Sequence, residues 1–305
     1  MDTVTRCDDC PRQCHAKRPQ KGPKIDVTIP GYCHAPFEPV LARAALHRWE
    51  EPCISGTKGS GTVFFSSCNL RCCFCQNSEI STDGVGYGVS VDRLRQIYGE
   101  LIAQGAHNIN LVTATPYLRA VVESLQEPLP IPVVYNCGGY ESQEALAALK
   151  GKIQIYLPDL KYMDSSMARR YSGAFDYPAV ATKAILSMYD QVGPYELDDD
   201  GILKKGVIIR HLILPGHIDN TKAVIDWVKE NFSEGQVLFS LMRQYVPCGH
   251  AASYPEINRP LTDEEYDEAE QYLFDSGIED GFVQEKESAT SDFIPSFKGE
   301  GVFHN

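Results

Sequence analysis

From residue 61 onward the chain alternates short β-rich runs with helical patterns, and this alternation constrains the fold more than any other feature. Each run is nearly continuous in Val, Ile, Leu and Phe, as expected of strands that are buried on both faces of a sheet. The segments between them place apolar residues on one stripe, and Ser90 and the Thr262–Glu265 pair are typical helix caps. Such alternation indicates βα units and a parallel sheet. The predicted strands are Thr62–Ser66, Asn108–Thr113, Pro132–Asn136, Ile153–Leu157, Val207–Leu214 and Val237–Leu241.

Six such units predict an α/β fold, a partial (β/α)6 barrel of the TIM type. In barrels of this kind the chemistry collects at the C-terminal ends of the strands. We expect residues 1–58 to form a cysteine-rich N-terminal appendage and residues 59–276 to form the barrel. Residues 277–305 are expected to form a C-terminal tail that packs on the barrel. A chain of 305 residues is long enough for this arrangement.

Three cysteines directly follow the first predicted strand, in the sequence CNLRCCFC. Cys68, Cys72 and Cys75 form a C-x3-C-x2-C array. A cuboidal iron–sulfur cluster has four irons, so three thiolates leave one iron for another protein ligand or for a small molecule. A zinc knuckle or a ferredoxin loop with a distant fourth ligand is the alternative. Cys73 is expected to be a bystander, because neighbouring thiolates at 72, 73 and 75 cannot all point at one cube.

The predicted appendage carries a second group of four cysteines, Cys7, Cys10, Cys14 and Cys33. Four thiolates can hold structural zinc or a second, fully ligated iron–sulfur cluster. His15 or His34 could replace one of the thiols. The alternative is a cysteine-rich loop whose thiols stay free. A small appendage with little core of its own would be stabilised by a bound metal.

Charge and cysteine usage exclude several classes of protein. The net charge of −13 argues against a nucleic-acid partner, since such proteins usually present a basic face. Nine of the eleven cysteines lie in the first 75 residues, and no secretory h-region precedes them. We therefore expect metal ligands in the reducing cytoplasm rather than disulfides. No apolar run approaches the ~18 residues of a membrane span, so no membrane partner is expected.

Beyond the cysteines, the chain resembles the pyruvate formate-lyase activating enzyme group of the radical S-adenosylmethionine (SAM) superfamily, and more closely one iron–sulfur branch of that group. The resemblance covers roughly residues 1–300. It rests on seven collinear blocks, Ile54–Asn77, Asn108–Thr113, Val133–Glu141, Leu157–Asp164, Ile209–His217, Leu241–Pro247 and Tyr254–Thr262.

This resemblance implies a cytoplasmic oxidoreductase that uses a 4Fe–4S cluster on Cys68, Cys72 and Cys75 to cleave SAM reductively. The resulting radical would abstract hydrogen from a substrate, by resemblance a glycine of a glycyl-radical enzyme. An electron donor such as flavodoxin or ferredoxin is implied as a partner. We expect the loop Arg243–Arg259 to contact the substrate. The alternatives are radical modification of a small molecule or peptide, and a non-catalytic iron–sulfur or zinc module.

The resemblance also assigns cofactor-binding residues. Asp159 and Lys161 match an Asp-x-Lys that helps hold SAM, and Lys161 would meet its carboxylate. Arg210 matches an arginine that contacts the carboxylate or the ribose of SAM. The alternatives are a surface ion pair between Asp159 and Lys161, and a structural pair for Arg210. The other expected contacts come from Phe74, Asn77, Thr113, Asn136 and Gly138.

Two positions depart from the pattern of the superfamily. A Gly-Gly-Glu usually follows the second strand, and its carboxylate receives the ammonium group of SAM. Here that place reads Thr113-Ala-Thr-Pro116, where the hydroxyls of Thr113 or Thr115 are the remaining polar groups. An Asp-Thr pair that helps activating enzymes to bind a monovalent cation is replaced by Asn136-Cys137.

Overall fold

The computed structural model describes residues 5–21, 28–284 and 295–303, and the predicted alternation is present in it. Its strands are, in chain order, β1 (Thr5–Cys7), β2 (Ala16–Arg18), β3 (Val40–His47), β4 (Ser60–Phe65), β5 (Tyr87–Gly88), β6 (Ile109–Val112), β7 (Val133–Cys137), β8 (Ile155–Pro158), β9 (Glu196–Leu197), β10 (Leu203–Leu212), β11 (Leu238–Met242) and β12 (Gly281–Val283).

The helices connect these strands and cover the sheet. They are α1 (Pro52–Ser55), α2 (Ser78–Ser81), α3 (Val91–Ala103), α4 (Leu118–Ser124), α5 (Gln143–Leu149), α6 (Ser165–Ser172), α7 (Tyr177–Val192), α8 (Ile218–Asn231) and α9 (Asp263–Ser276). Both predicted caps are confirmed. The Ser90 side chain accepts a hydrogen bond from the Arg93 amide, and Thr262 and Glu265 form a capping box. None of the described helices is long and apolar enough to span a bilayer.

The parallel strands follow one another across the sheet in the order β4, β6, β7, β8, β10, β11 and β12. This order winds in one direction, as in a βα barrel, whereas a doubly wound sheet reverses at a switch point. β3 pairs antiparallel with β4, and β5 pairs antiparallel with β3. No described strand joins β12 to β5, so the sheet stays open.

The six predicted strands are confirmed as β4, β6, β7, β8, β10 and β11, but the sheet is larger than six strands. The parallel strand β12 falls in the segment that we expected to be a tail, and it is only three residues long. β3 falls in the segment that we expected to be an appendage, and its Ala-rich sequence VLARAALH carries little β signal. The division into residues 1–58, 59–276 and 277–305 remains a prediction.

The two faces of the parallel sheet differ in what they bury. Alternate residues of a strand face opposite sides, so Ile109 and Leu111 pack with the helices while Asn110 is buried on the inner side. An apolar cluster from β7, β8, β10 and β11 packs against Cys53 and Ile54 of α1. The short helix α1 therefore fills one end of the inner space, and the opposite end holds the polar cavity described below.

Candidate functional site

A cavity of about 240 Å³ opens at the C-terminal ends of the parallel strands. All eleven residues that were predicted for the cluster and for SAM line it: Cys68, Cys72, Cys75, Phe74, Asn77, Thr113, Asn136, Gly138, Asp159, Lys161 and Arg210. They come from segments that are up to 142 positions apart (210 − 68 = 142). The fold therefore gathers the whole predicted set in one place, while the individual roles remain predictions.

The loop after β4 presents the three thiols, and each sulfur accepts a hydrogen bond. The Leu70 amide donates to Cys68 Sγ at 3.3 Å, Ser172 Oγ donates to Cys72 Sγ at 3.0 Å, and Ser81 Oγ donates to Cys75 Sγ at 3.4 Å. Burial raises the pKa of Cys68 to about 12 and also raises the pKa of Cys75. Without a metal these thiols would stay protonated, and metal binding is the ordinary way in which such groups lose their protons.

Among the residues that the structure describes, no three His, Cys, Asp or Glu side chains converge on the position of one metal ion. A zinc ion needs its sulfurs about 2.3 Å from a single centre. In a cuboidal cluster each thiolate binds a different iron, so the sulfurs are spread around the cube. Three thiols in one cavity are the ligand set that a cluster with one open iron requires.

Aromatic rings pack against the cluster loop, which is the segment from Cys68 to Cys75. Phe74 is buried, and its ring lies 6.1 to 6.5 Å from the rings of Tyr162, Tyr171 and Tyr245. Cys73 is also buried, but it does not line the cavity, as expected of a bystander. These ring contacts anchor the residues on either side of Phe74, among them Cys72 and Cys75.

A chain of charged groups crosses the cavity from Lys161 to Glu50. Lys161 Nζ lies 2.6 Å from Asp159 Oδ2, and Arg210 Nε donates to Asp159 Oδ1 at 2.9 Å. Arg210 also donates to Asn136 Oδ1 at 2.7 Å and to Glu50 Oε2 at 3.2 Å. Asp159 and Lys161 do form the ion pair of the alternative interpretation, but at 14% and 18% exposure the pair is buried and does not lie at the surface. Burial alone would raise the pKa of Asp159, but the charges of Arg210 and Lys161 hold it below its usual value.

Glu50 is a charged cavity residue that the sequence analysis missed. It lies between β3 and α1, in the segment that we assigned to an appendage, and its side chain is 10% exposed. Its Oε1 accepts a hydrogen bond from Asn136 Nδ2 at 3.3 Å. Burial raises the pKa of both Glu50 and its neighbour Glu51, but only Glu50 lines the cavity. The only sequence signal was an acidic pair beside Trp49, and nothing in it indicated proximity to the barrel strands.

The two threonines after β6 point to different places. Thr113, which has a positive φ of 60°, lines the cavity. Thr115 faces away and donates a hydrogen bond to Glu141 Oε1 at 2.6 Å. Tyr135 also donates to this buried carboxylate, at 3.2 Å. Of the two hydroxyls in the place of the usual Gly-Gly-Glu, only that of Thr113 can reach a ligand in the cavity.

The pKa of Glu141 predicts a specific pH dependence of stability. Burial raises this pKa to about 7, against about 4.3 in an unfolded chain. A raised pKa stabilises the fold at low pH, and this contribution is lost as the pH rises through 7. When the pH is raised from 5 to 8, the unaltered chain should therefore lose on the order of 3 kcal/mol of unfolding free energy that the Glu141→Gln variant does not lose. Urea unfolding at both pH values measures this.

The exposed Glu144 provides the control for this prediction. Glu144→Gln makes the same chemical change at the surface, so it shows how far the loss of a carboxylate in this part of the chain alters the pH dependence by itself. If Glu141→Gln behaves in the same way as this control, Glu141 does not bind a proton more tightly in the folded state.

The glycines after β7 serve close packing at the cavity wall. A side chain at Gly139, where φ is 77°, would lie 2.3 Å from the Asp159 carbonyl oxygen. A Cβ at Gly138 would lie 2.7 Å from Leu70 Cδ1. The first glycine of the pair lines the cavity and the second makes the turn possible.

The four cysteines of the predicted appendage line a second, smaller cavity together with Arg18 and Asn69. None of the eleven cysteines forms a disulfide bond. Neither of the proposed substitute ligands faces this cavity. The ring of His15 pairs with Asp8, and His34 Nδ1 lies 2.9 Å from the Ile29 carbonyl oxygen.

The chain is similar to several solved structures and to another protein in sequence. No family model matches it. Two solved structures, SuiB of Streptococcus suis bound to S-adenosylmethionine and methylornithine synthase (PylB), share 15% and 14% identity with TM-scores of 0.48 and 0.49. They are matched over 72% and 79% of this chain, and over 48% and 65% of their own lengths, so the chain spans about half of SuiB.

A sequence relative is closer. The chain is 30% identical over 273 residues to the uncharacterized protein MJ0674 of Methanocaldococcus jannaschii, covering 86% of this chain and 72% of that protein. The chain therefore belongs to the same family as protein MJ0674.

Proposed function

We propose that this protein is a radical SAM enzyme whose active site is the cavity at the C-terminal ends of the parallel strands. The observation that carries the proposal is the meeting of three hydrogen-bonded thiols with a buried cation–carboxylate chain in that one cavity. Cys68, Cys72 and Cys75 would hold a 4Fe–4S cluster, and in its reduced state this cluster would supply the one electron that splits SAM into methionine and a hydrogen-abstracting 5′-deoxyadenosyl radical.

In this chemistry the protein holds the cluster and SAM and orients them relative to each other. Cys68, Cys72 and Cys75 hold the cluster, and their hydrogen-bond donors stabilise the ionised thiolates. The buried Phe74 closes the apolar side of the loop against water. Oriented groups in a cavity that excludes water prevent side reactions of a radical.

The cations of the cavity suit the carboxylate of SAM. Lys161 has three donors, and only one of them is directed at Asp159. Arg210 is already held by Asp159, Asn136 and Glu50, so its position is fixed before a ligand arrives. We therefore assign the carboxylate contact to Lys161 and assign to Arg210 the role of fixing the carboxylates around it.

Glu50 is the residue that we propose for the ammonium group of SAM, in place of the missing Gly-Gly-Glu. Among the described residues, the carboxylates that line the cavity are those of Glu50 and Asp159. Both oxygens of Asp159 are engaged in short contacts of 2.6 and 2.9 Å. The contacts of Glu50 are longer, at 3.2 and 3.3 Å, and leave acceptor capacity for a further donor. A buried carboxylate facing an ammonium group is a strong, charge-assisted contact.

Replacing Glu50 with glutamine should weaken SAM binding about tenfold to a hundredfold, because a charge-assisted contact of ~1.5–3 kcal/mol becomes neutral. The dissociation constant of SAM, measured by equilibrium dialysis against the iron-loaded protein, tests this. Glu51→Gln is the matched control, because Glu51 is the next residue and does not line the cavity. Equal SAM affinity in both variants would show that Glu50 does not contact SAM.

The substrate is expected over the mouth of the cavity, where the loop Arg243–Arg259 contributes Gln244 to the wall. The Gln244 carbonyl accepts a hydrogen bond from Gln76 Nε2 at 3.0 Å, which joins this loop to the cluster loop. A glycine of a glycyl-radical enzyme is the substrate that the sequence resemblance favours, and we keep it as the first substrate to try.

Electron paramagnetic resonance (EPR) of the reduced, iron-loaded protein tests the proposed function. Addition of SAM should change the signal of the cluster, because SAM binds its open iron. S-adenosylhomocysteine lacks the sulfonium charge and serves as a comparison ligand. A cluster signal that does not respond to SAM at millimolar concentration would contradict the proposal and favour a non-catalytic iron–sulfur module.

A further inference from the structure

Four cysteines surround one cavity behind the loop that carries Cys68. Cys7 ends β1, Cys10 and Cys14 lie in the turn between β1 and β2, and Cys33 approaches from a later segment. The antiparallel pairing of Cys7 with Ala16 closes the turn. Residues distant in sequence are thus folded around a common space that only a small group can fill.

A buried arginine provides an independent observation at the same place. The side chain of Arg18 lines the cavity, and the residue is only 1% exposed. It donates to Cys7 Sγ at 3.2 Å and to the carbonyl oxygens of Ala35 and Pro116, each at 2.7 Å. Its ion pairs and hydrogen bonds within the described part of the chain include no carboxylate.

Carbonyl oxygens, including that of Pro36, satisfy the donors of this guanidinium, but no carboxylate of the described residues balances its positive charge. Neutral thiols would not compensate it. Four thiolates around a metal centre leave that centre with a net negative charge, and Arg18 is placed to neutralise part of it.

We propose that Cys7, Cys10, Cys14 and Cys33 bind a second, fully ligated iron–sulfur cluster, separate from the cluster on Cys68, Cys72 and Cys75. Four thiolates would ligate all four irons of such a cluster, so this centre would have no open iron for a small molecule. This site needs no SAM, and the proposal stands independently of the proposed function.

The contacts of the cysteine-bearing segment place this second centre beside the first. Ser67 Oγ donates to the Cys33 carbonyl oxygen at 2.7 Å, one residue before Cys68. Arg12 Nε donates to the Asn69 carbonyl oxygen at 2.7 Å, and Tyr32 OH donates to that of Leu70 at 3.1 Å. The two loops are therefore fastened together by direct hydrogen bonds.

The test removes the first cluster and asks whether a second remains. A triple variant with alanine at Cys68, Cys72 and Cys75 is purified without oxygen after reconstitution with iron and sulfide. We expect about four irons and about four sulfides per chain, together with an EPR signal on reduction that does not respond to SAM. Adding Cys10→Ala and Cys14→Ala should remove this iron, whereas adding Cys53→Ala should not, since Cys53 lines neither of the two cavities.

A second measurement covers the possibility that the multiple variants fail to fold. In the otherwise unaltered chain, the Cys10→Ala, Cys14→Ala pair should lower the iron content from about eight to about four per chain. Circular dichroism checks that the fold is kept. Iron content of about four in the unaltered chain, or one zinc without sulfide in the triple variant, would overturn the proposal.

Discussion

Replacing Cys72 with alanine should abolish cluster assembly at the main cavity. Cys72 is buried and its sulfur accepts a hydrogen bond from Ser172 Oγ, so no other group can take its place without moving the loop. A cuboidal cluster held by two thiolates in place of three is expected to be lost on purification. The iron and sulfide content should fall by about four per chain, and cleavage of SAM should fall below detection.

Cys73→Ala is the matched control for this prediction. It is the next residue, it is equally buried, and it does not line the cavity. Iron content and SAM cleavage should stay at the level of the unaltered chain. Equal losses in the two variants would mean that the effect comes from disturbed packing rather than from a lost ligand.

Replacing Arg210 with methionine should destabilise the fold by about 3–5 kcal/mol, because removal of one partner leaves buried charges uncompensated. Asp159 and Glu50 both lose their contact with the guanidinium, and both side chains are largely buried. Urea unfolding of the cluster-free protein measures this cost. A restored stability in Arg210→Met combined with Glu50→Gln would support the charge explanation.

Arg170→Met is the matched control for Arg210. Arg170 also pairs with a carboxylate, that of Glu256, but the two side chains are 53% and 34% exposed. Exposed ion pairs contribute little to stability, because solvent screens them. If both arginine substitutions cost the same small amount, the chain of charges across the cavity contributes no more than an ordinary surface pair does.

The predictable parts of this fold are those that local sequence patterns determine. The apolar runs of β4, β6, β7, β8, β10 and β11 are nearly continuous, and strands buried on both faces must be so. Ser90 marks the start of α3 through its own hydrogen bond to the Arg93 amide. The three thiols after β4 were recognisable because a cluster-binding array needs close spacing.

What escaped prediction depends on contacts between distant residues. Glu50 touches Arg210, 160 positions away, and no local pattern couples an acidic pair after β3 to a strand of the barrel. β12 has only three residues, and its parallel pairing with β11 is what makes it part of the sheet. The orientation of Thr115 toward Glu141 likewise depends on tertiary packing, so the sequence could not separate it from Thr113.

The cleavage of SAM itself tests the central claim most directly. Protein purified without oxygen and reconstituted with iron and sulfide is incubated with SAM and dithionite, and 5′-deoxyadenosine is measured by chromatography. We predict 5′-deoxyadenosine in the unaltered chain, undiminished in Cys73→Ala and absent in Cys72→Ala. A fully loaded cluster that binds SAM but yields no 5′-deoxyadenosine, alone or with candidate glycyl-radical partners, would contradict the account.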